Sequence, residues 1–438
     1  MSISEKDLLL ENKKLESTID IIRNEISLLS ADLYDKETEL REFQTMMWDN
    51  RAELDPAEMK TLRTSNDMEV FFLEQKAKKF KKLYQIQNKP YFGRIDFESV
   101  DFPYTDDDLA DCVKGEKLIY YETSRGCPFS CSYCLSSVES GVRFLPVERV
   151  KNEIKKITSA GALTIKFVDR TFNADRKRAL EIWKFCASLE GKTKYHFEIG
   201  ADLLDKESLE FLKTVPKDKF LFEVGVQSTN EKTLGAVCRK TDLQKIKDNV
   251  LCIKEQGNIH LHLDLIAGLP FEGYESFKRS FNDLIALKPH ELQLGFLKFL
   301  KGSGIRKSAE TFGGIYSSEA PYEVLKTDYI SAEEIIKLHY VEDVLERYYN
   351  SERFENSIFY GMELFETPFD FFEALSEFFV EKNLIDKGIK RISLYELLYD
   401  FIKKNSDKKS CEEFRKLLKK DFELWHSNGV GTPEWYKI

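Results

Sequence analysis

Apolar residues recur at alternating steps of four and three from the start of the chain: Leu8, Leu15, Ile19, Ile22, Ile26, Leu29, Leu33, Leu40, Phe43 and Met47, with Asn12 and Lys36 as polar breaks. A seam of period 3.5 sustained over more than about five heptads predicts a coiled coil rather than a lone amphipathic helix. Asp55-Pro56 reads as an N-cap followed by a first-turn proline, so a second helix is expected there. Its weaker apolar stripe is Met59, Leu62, Leu73, Ala77 and Phe80, and Lys76, Lys78, Lys79, Lys81 and Lys82 crowd its end. Residues 1–97 are therefore expected to fold back as an antiparallel helical hairpin, an arm whose lysines are read as a solvated face.

After an acidic linker at Thr105 to Asp108 the pattern changes to apolar strands alternating with amphipathic helices. Strands are expected over 118–122, 164–168, 195–199, 220–226, 260–267 and 291–297. Helices are expected over 146–160 and 175–189, from 205, from 242 to a C-cap at Gly257, and over 274–287. Such alternation predicts an α/β fold with a parallel sheet and right-handed crossovers, here six βα units spanning 98–310. Beyond Gly304 the period becomes helical. Ser331 to Glu334, Ser393 to Glu396 and Ser410 to Glu413 read as capping boxes, and Thr367-Pro368 as another helix start. Residues 311–438 are thus a helical C-terminal domain. Its dense phenylalanines, among them Phe354, Phe369, Phe371 and Phe379, are either helix core or the lining of a substrate pocket.

Composition narrows the function classes. In 438 residues, 66 basic side chains against 76 acidic ones give a net charge of −10, against whole-surface attraction to nucleic acid. No run of about 18 apolar residues occurs, and the N-terminus lacks the apolar core of a signal peptide, so a cytoplasmic protein without a membrane span is expected. Eight cysteines, five of them scattered, do not look like a disulfide framework.

The other three are Cys127, Cys131 and Cys134, a CxxxCxxC loop directly after the first strand. Iron–sulfur clusters are held by cysteine thiolates, normally four per cubane, and a loop offering three leaves one iron open. Zinc prefers four N or S ligands, and the nearest further thiol, Cys112, lies in a segment without metal-site spacing. On these cysteines, with Tyr133 just before the third, the sequence resembles the radical SAM superfamily. The resemblance implies a [4Fe-4S] cluster whose open iron binds the amino and carboxylate groups of S-adenosylmethionine (SAM), on an incomplete (βα)6 TIM-like barrel.

Reactive groups of a βα barrel gather at the C-terminal ends of its strands, which ranks the remaining residues. The second strand ends at Asp169, where related enzymes often carry Gly-Gly-Glu. Asp169 would accept a bond from the methionine ammonium or else cap the next helix. Glu198 and Asp202 close the third strand. The fourth ends in Glu223-Val-Gly-Val-Gln227-Ser228, similar to an E-x-G-x-Q-S segment of the coproporphyrinogen dehydrogenase and methylthiotransferase branches. That likeness implies that Gln227 lies beside SAM and that Arg239 meets its carboxylate, a match for a guanidinium's two parallel donors. Leu263 to Pro270 resembles the adenine-contacting stretch, with Asp264 as the ribose hydroxyl acceptor. His196, His260 and His262 lie on strands, either as hydrogen-bonded core or as direct participants. Cys186, Cys238 and Cys252 are read as structural.

From about Tyr104 to the C-terminus the chain is similar to a bacterial radical SAM family with a cobalamin-binding domain upstream and a DUF4080-type helical domain downstream. Residues 1–97 carry no cobalamin-ligating D-x-H-x-x-G, so cobalamin is not expected in this chain. That stretch, through Pro90 to Phe97, resembles instead the N-terminal coiled-coil arm of UvrD/HelD-like helicase proteins, which engages RNA polymerase; with no GxxxxGK[ST], no helicase activity is implied. The expected function is an anaerobic enzyme that cleaves SAM reductively to a 5′-deoxyadenosyl radical acting on an unknown substrate. It would be fed by a low-potential donor such as a flavodoxin or ferredoxin, and the arm would either engage a protein partner or stand as an inert helical hairpin. The alternative is an interaction protein, a coiled-coil arm on a catalytically degenerate barrel.

Overall fold

The computed structural model describes residues 96–137, 141–425 and 433–437. The expected hairpin, apart from Asp96 and Phe97, lies outside the described residues. Six parallel strands form the central sheet in sequence order: β1 (Ile119–Tyr121), β2 (Thr164–Phe167), β3 (Lys194–Glu198), β4 (Phe220–Gln227), β5 (His260–Ala267) and β6 (Glu291–Phe296). Neighbours in sequence are neighbours in space, as right-handed βα winding requires. Every expected strand is present to within about two residues at each end. The helices α1 (Asp106–Lys114), α2 (Val147–Ser159), α3 (Arg176–Ser188), α4 (Lys206–Leu212), α5 (Glu231–Ala236), α6 (Leu243–Gln256) and α7 (Tyr274–Ile285) alternate with the strands. Asp175, Asp205, Asn230 and Asp242 cap four of them by accepting backbone N–H bonds.

The two faces of the sheet differ. Along β4, Phe220, Phe222, Val224 and Val226 are buried against the helical layer, where Trp183 of α3 lies 5.4 Å from Phe222 and Phe167 stacks on Phe197 at 4.5 Å. The alternate residues of β2 to β5 make a polar face of Lys166, His196, Glu198, Glu223, His262 and Asp264. Barrel interiors are ordinarily filled by Val, Ile and Leu, so a polar interior marks a place where something other than core packing is required.

Beyond the sheet, α8 (Ala332–Tyr348), α9 (Glu355–Glu363), α10 (Pro368–Glu381), α11 (Arg391–Asn405) and α12 (Lys408–Trp425) form the helical region. Its phenylalanines resolve as helix core: Phe354, Phe369, Phe371, Phe372 and Phe379 are fully buried. Only the first of the three expected capping boxes exists, at Ser331. Ser393 and Ser410 sit inside their helices, and Asp407 accepts from Lys409 N and Ser410 N at the start of α12. A helix beginning two or three residues earlier turned both serines into first-turn residues. The region is sewn to the sheet by Asn350, whose amide accepts from Leu292 N and donates to Leu292 O, each at 3.0 Å, covering backbone groups of edge strand β6.

Candidate functional site

The cysteine loop leaves β1 through Gly126, whose φ of +100° and whose contact with the Gly141 carbonyl exclude a side chain. Ser132 then ties the loop across the mouth of the sheet, donating its N–H to Val237 O (2.9 Å) and accepting from Ile305 N (2.8 Å). Cys131 is buried, Cys127 and Cys134 are partly exposed, and all three are free thiols. They open onto one cleft at the C-terminal ends of the strands, shared with Tyr133, Glu198, Glu223, Gln227, Arg239 and Asp264. The cleft encloses about 180 Å³, less than the ~300–1,000 Å³ typical of small-molecule sites, and continues into open solvent.

Arg239 is the organising cation. One terminal nitrogen donates to the Tyr133 hydroxyl at 3.2 Å and approaches Cys131 Sγ at 3.8 Å; the other donates to the Gly225 carbonyl. Its Nε is buried without a partner. Gln227 ends β4 at φ +75°, where the pairing with β5 shifts register between Gly225 and Gln227. A non-glycine residue in this region is strained, a condition that clusters at ligand sites. A Cβ on Gly225 would collide with the Gln227 amide, so the glycine makes room for that side chain.

Three carboxylates face the cleft from β3, β4 and β5. Burial raises the pKa of Glu198 and pushes that of Asp264 well above the ordinary range, with the Glu223 charge adding to both. Asp264 Oδ1 has no protein partner. Glu223 goes the other way: burial opposes its charge, but His196 Nε2 at 2.8 Å and Lys166 Nζ at 2.9 Å, both on Oε2, outweigh it and hold its pKa near about 2. A buried polar atom without a protein partner, beside a desolvated carboxyl, fits a site that receives hydrogen-bond donors from a ligand.

The donor set also tests what the thiols could hold. Among the described residues no three His, Cys, Asp or Glu side chains converge as the ligands of one ion, which a zinc site would require. A cluster makes no such demand, because each thiolate binds a different iron. Three free cysteines on one loop fit that group.

Asp169 departs from both of its expected roles. It is fully buried beneath the loop, accepting from Thr123 N (2.9 Å), Thr123 Oγ1 (2.6 Å) and Ser124 Oγ (2.5 Å). It neither faces the cleft nor caps a helix; Asp175 caps α3. Three donors from the segment leading to Cys127 satisfied the carboxylate first. Cys238, read as structural, is exposed at φ +56° beside Arg239. Sequence reasoning passed over Arg170 and Thr171, which line the cleft, the latter 3.5 Å from Cys127 Sγ, and the Lys166–Glu223–His196 group. The polar alternation on parallel strands was the available signal.

Residues 121–284 match the model of the Radical SAM superfamily, and residues 310–437 match "Protein of unknown function (DUF4080)". The chain therefore carries a radical SAM domain followed by a DUF4080 domain; neither match reaches residues 1–97. It is 28% identical over 196 residues to a 2-(S-pantetheinyl)-carbapenam-3-carboxylate methyltransferase of Streptantibioticus cattleyicolor, covering 42% of this chain and 28% of that protein. It is 28% identical over 182 residues to the cobalamin-dependent radical SAM methyltransferase TokK of Streptomyces tokunonensis, covering 39% and 26%. The chain thus spans little more than a quarter of these relatives' length. Among solved structures, the cobalamin-dependent SAM radical enzyme OxsB superimposes with TM-score 0.48 at 16% identity, over 76% of this chain and 57% of that one.

Proposed function

We propose that the chain is a radical SAM enzyme in which Cys127, Cys131 and Cys134 hold a [4Fe-4S] cluster and the adjoining cleft takes SAM. When bound, the cluster supplies the electron that cleaves SAM to methionine and a 5′-deoxyadenosyl radical, which removes a hydrogen atom from a substrate. The observation that carries this reading is three free thiols on one loop, opening onto the same cleft as Gln227, Arg239 and Asp264. Arg239 presents its guanidinium to the methionine carboxylate, steadied by Tyr133. Gln227 lies alongside, the unpartnered Asp264 Oδ1 takes a ribose hydroxyl, and Glu198 supplies a second carboxylate toward the cationic end of the ligand. Asp169 takes no ligand and instead braces the cysteine loop.

The proposed division is an interaction arm over 1–97, supported by its heptad seam, a barrel over 98–310 and a helical domain over 311–438, in keeping with the ends of the two family matches. A low-potential protein such as a flavodoxin or ferredoxin would supply electrons. Among the described residues no helix is long and apolar enough to cross a membrane. Anaerobic reconstitution tests the reading: the protein should gain about four irons and form 5′-deoxyadenosine from SAM under a low-potential reductant. A protein that binds iron but never cleaves SAM would favour the degenerate barrel.

A further inference from the structure

The cysteine loop has a second side. Cys127, Cys131, Tyr133 and Cys134 line the cleft, whereas Ser132 and Leu135 do not. The Ser132 carbonyl accepts from Ile305 N at 2.8 Å, so the strap 298–307 that follows β6 lies on the loop one residue from Cys131. Gly304 is seated against Ser132, where a Cβ would come within 3.3 Å of that same carbonyl oxygen. Gly302, at φ +94°, lies against Leu135, whose Cδ2 a Cβ would meet at 3.9 Å. Leu135 adjoins Cys134 and is 44% exposed, an apolar side chain left open at the surface.

Around this point the charge is one-sided. Residues 292–309 hold Lys298, Lys301, Arg306 and Lys307 and no acid, in a chain with 76 acidic side chains and a net charge of −10. The three lysines are exposed. Lys301 and Arg306 both lie over the Tyr322 ring, at 5.3 and 4.9 Å, which keeps two cations together here. Among the described residues none of the four pairs with a carboxylate. The carboxylates that come near in sequence or pairing are otherwise engaged: Glu291 meets His262 at 3.1 Å, and Glu323, opposite Lys298 in the backbone pairing, meets His339 at 3.1 Å. An ordinary solvated face intersperses its charges, as Lys151 does with Glu148 and Glu181, and Lys416 with Glu413. An unbalanced basic run beside an exposed leucine is a surface made for an anionic partner.

We propose that the strap is the docking surface for an acidic electron-carrier protein, with Leu135 and Gly302 as its apolar centre and Lys301, Arg306 and Lys307 as its basic rim. It rests on the reading of the cleft as the place of the cluster and SAM. A carrier that delivered its electron through the cleft would compete with SAM for the same opening. From the strap it reaches the Cys131 and Cys134 side of the loop across a single residue. The carrier must also leave once its electron is gone. Electron-transfer encounters are accordingly small and transient, and charge steers them more than burial holds them. The electron that the reduced carrier loses is the one the cluster gains, and no bond is made or broken in the step.

The test uses the full chain, reconstituted anaerobically, with 5′-deoxyadenosine formation from SAM driven either by saturating dithionite or by limiting reduced flavodoxin, an acidic carrier. Lys301→Glu/Lys307→Glu should lower the flavodoxin-driven second-order rate by at least about tenfold at low salt. Its dithionite-driven rate, iron content and SAM affinity should stay as in the wild type. Raising the salt should slow the wild type with flavodoxin and leave the variant nearly unmoved. Lys408→Glu/Lys409→Glu on α12 makes the same charge change in the helical region and should keep the flavodoxin rate within about twofold, since exposed charges beyond a Debye length are screened. Where the strap variant loses iron, Lys301→Gln/Lys307→Gln is read the same way. Three results overturn the docking surface alone: a flavodoxin rate unchanged in the strap variant, one lowered equally in the α12 variant, or one that salt or the absence of any turnover shows to be uncoupled from a wild type active with dithionite. No 5′-deoxyadenosine with dithionite overturns the reading of the cleft, and the docking surface with it.

Discussion

Each cysteine of the loop is held by a different part of the chain. Cys127 follows the turn at Gly126, Cys131 lies against Arg239, and Cys134 N–H closes a turn onto Cys131 O at 3.1 Å. Replacing any one by alanine leaves two thiolates for a group that takes three, so Cys127→Ala, Cys131→Ala and Cys134→Ala should each lose the cluster's iron and visible absorbance, while Cys112→Ala keeps both. Full iron content in Cys131→Ala would sink the cluster assignment. The SAM ligands form a separate layer. Removing a charge-assisted bond costs about 1.5–3 kcal/mol, so Arg239→Ala should weaken SAM binding by roughly ten- to a hundredfold; the Asp264 carboxyl, which burial pushes toward its neutral form, makes an ordinary hydrogen bond of about 0.5–1.5 kcal/mol, so Asp264→Ala should weaken it by roughly two- to tenfold. Iron content should stay as in the wild type. Isotherms on reconstituted variants decide this, and unchanged affinity in both would remove these side chains from the cofactor site. At this scale the chain was readable where spacing alone sets the chemistry, as with the three thiols. It was unreadable where two uses compete for one side chain: only the fold puts Thr123 and Ser124 within reach of Asp169.

The strands and the turns that end them set how accurately these residues are placed. Strand positions were legible because β-branched and aromatic residues alternate with polar ones. The purpose of the polar set was not, since Lys166, His196 and Glu223 meet only when β2, β3 and β4 align side by side. At the loop's entrance, Gly126→Ala would force a side chain against the Gly141 carbonyl at a φ that L-residues avoid. Destabilisation of about 1–3 kcal/mol is expected, with slower or incomplete iron uptake, read by thermal melts and iron titration. The end of β4 is fastened by Glu272, whose Oε1 accepts from Ser228 (2.8 Å), Ser280 (2.9 Å) and Ser276 (3.4 Å) while Oε2 has no partner. Burial pushes its pKa up to about 7 against the lowering by these three hydroxyls. A folded-state pKa above the unfolded value of 4.5 means the contribution is fully present below about pH 4.5 and lost as pH rises through 7; at ~1.4 kcal/mol per unit it amounts to roughly 3.5 kcal/mol. Denaturation midpoints between pH 5 and 8 should therefore carry a downward slope that Glu272→Gln flattens. An identical slope in that variant would assign the pH dependence to other groups.

For the molecule as a whole, the sheet and the C-terminal helices share one core: Phe281 of α7 packs on Phe369 of α10 at 5.2 Å, Tyr274 donates to Glu373 at 2.6 Å, and Asn350 covers the edge of β6. The described residues fall within one compact unit. The helical region was legible as helices but not as a wall of the barrel, because nothing in a helical period says which element it will cover. At the other end, Phe97 is buried with the Arg125 guanidinium 4.9 Å above its ring, and Arg149 donates to the carbonyls of Glu98 (2.6 Å) and Val100 (2.5 Å). The sequence boundary of the arm at 97 therefore cuts through a packed contact. Deleting residues 1–94 should leave iron binding and SAM affinity at wild-type levels, because every proposed ligand lies later and Phe97 remains seated beside the cysteine loop. Deleting 1–97 removes that side chain as well, and should lower stability by roughly 1.5–3 kcal/mol for the lost burial. Melting curves and iron analysis on the two truncations separate these outcomes. Loss of iron binding in a folded 1–94 deletion would make the arm part of the site, and equal stability of the two would mean that Phe97 contributes nothing to holding the loop.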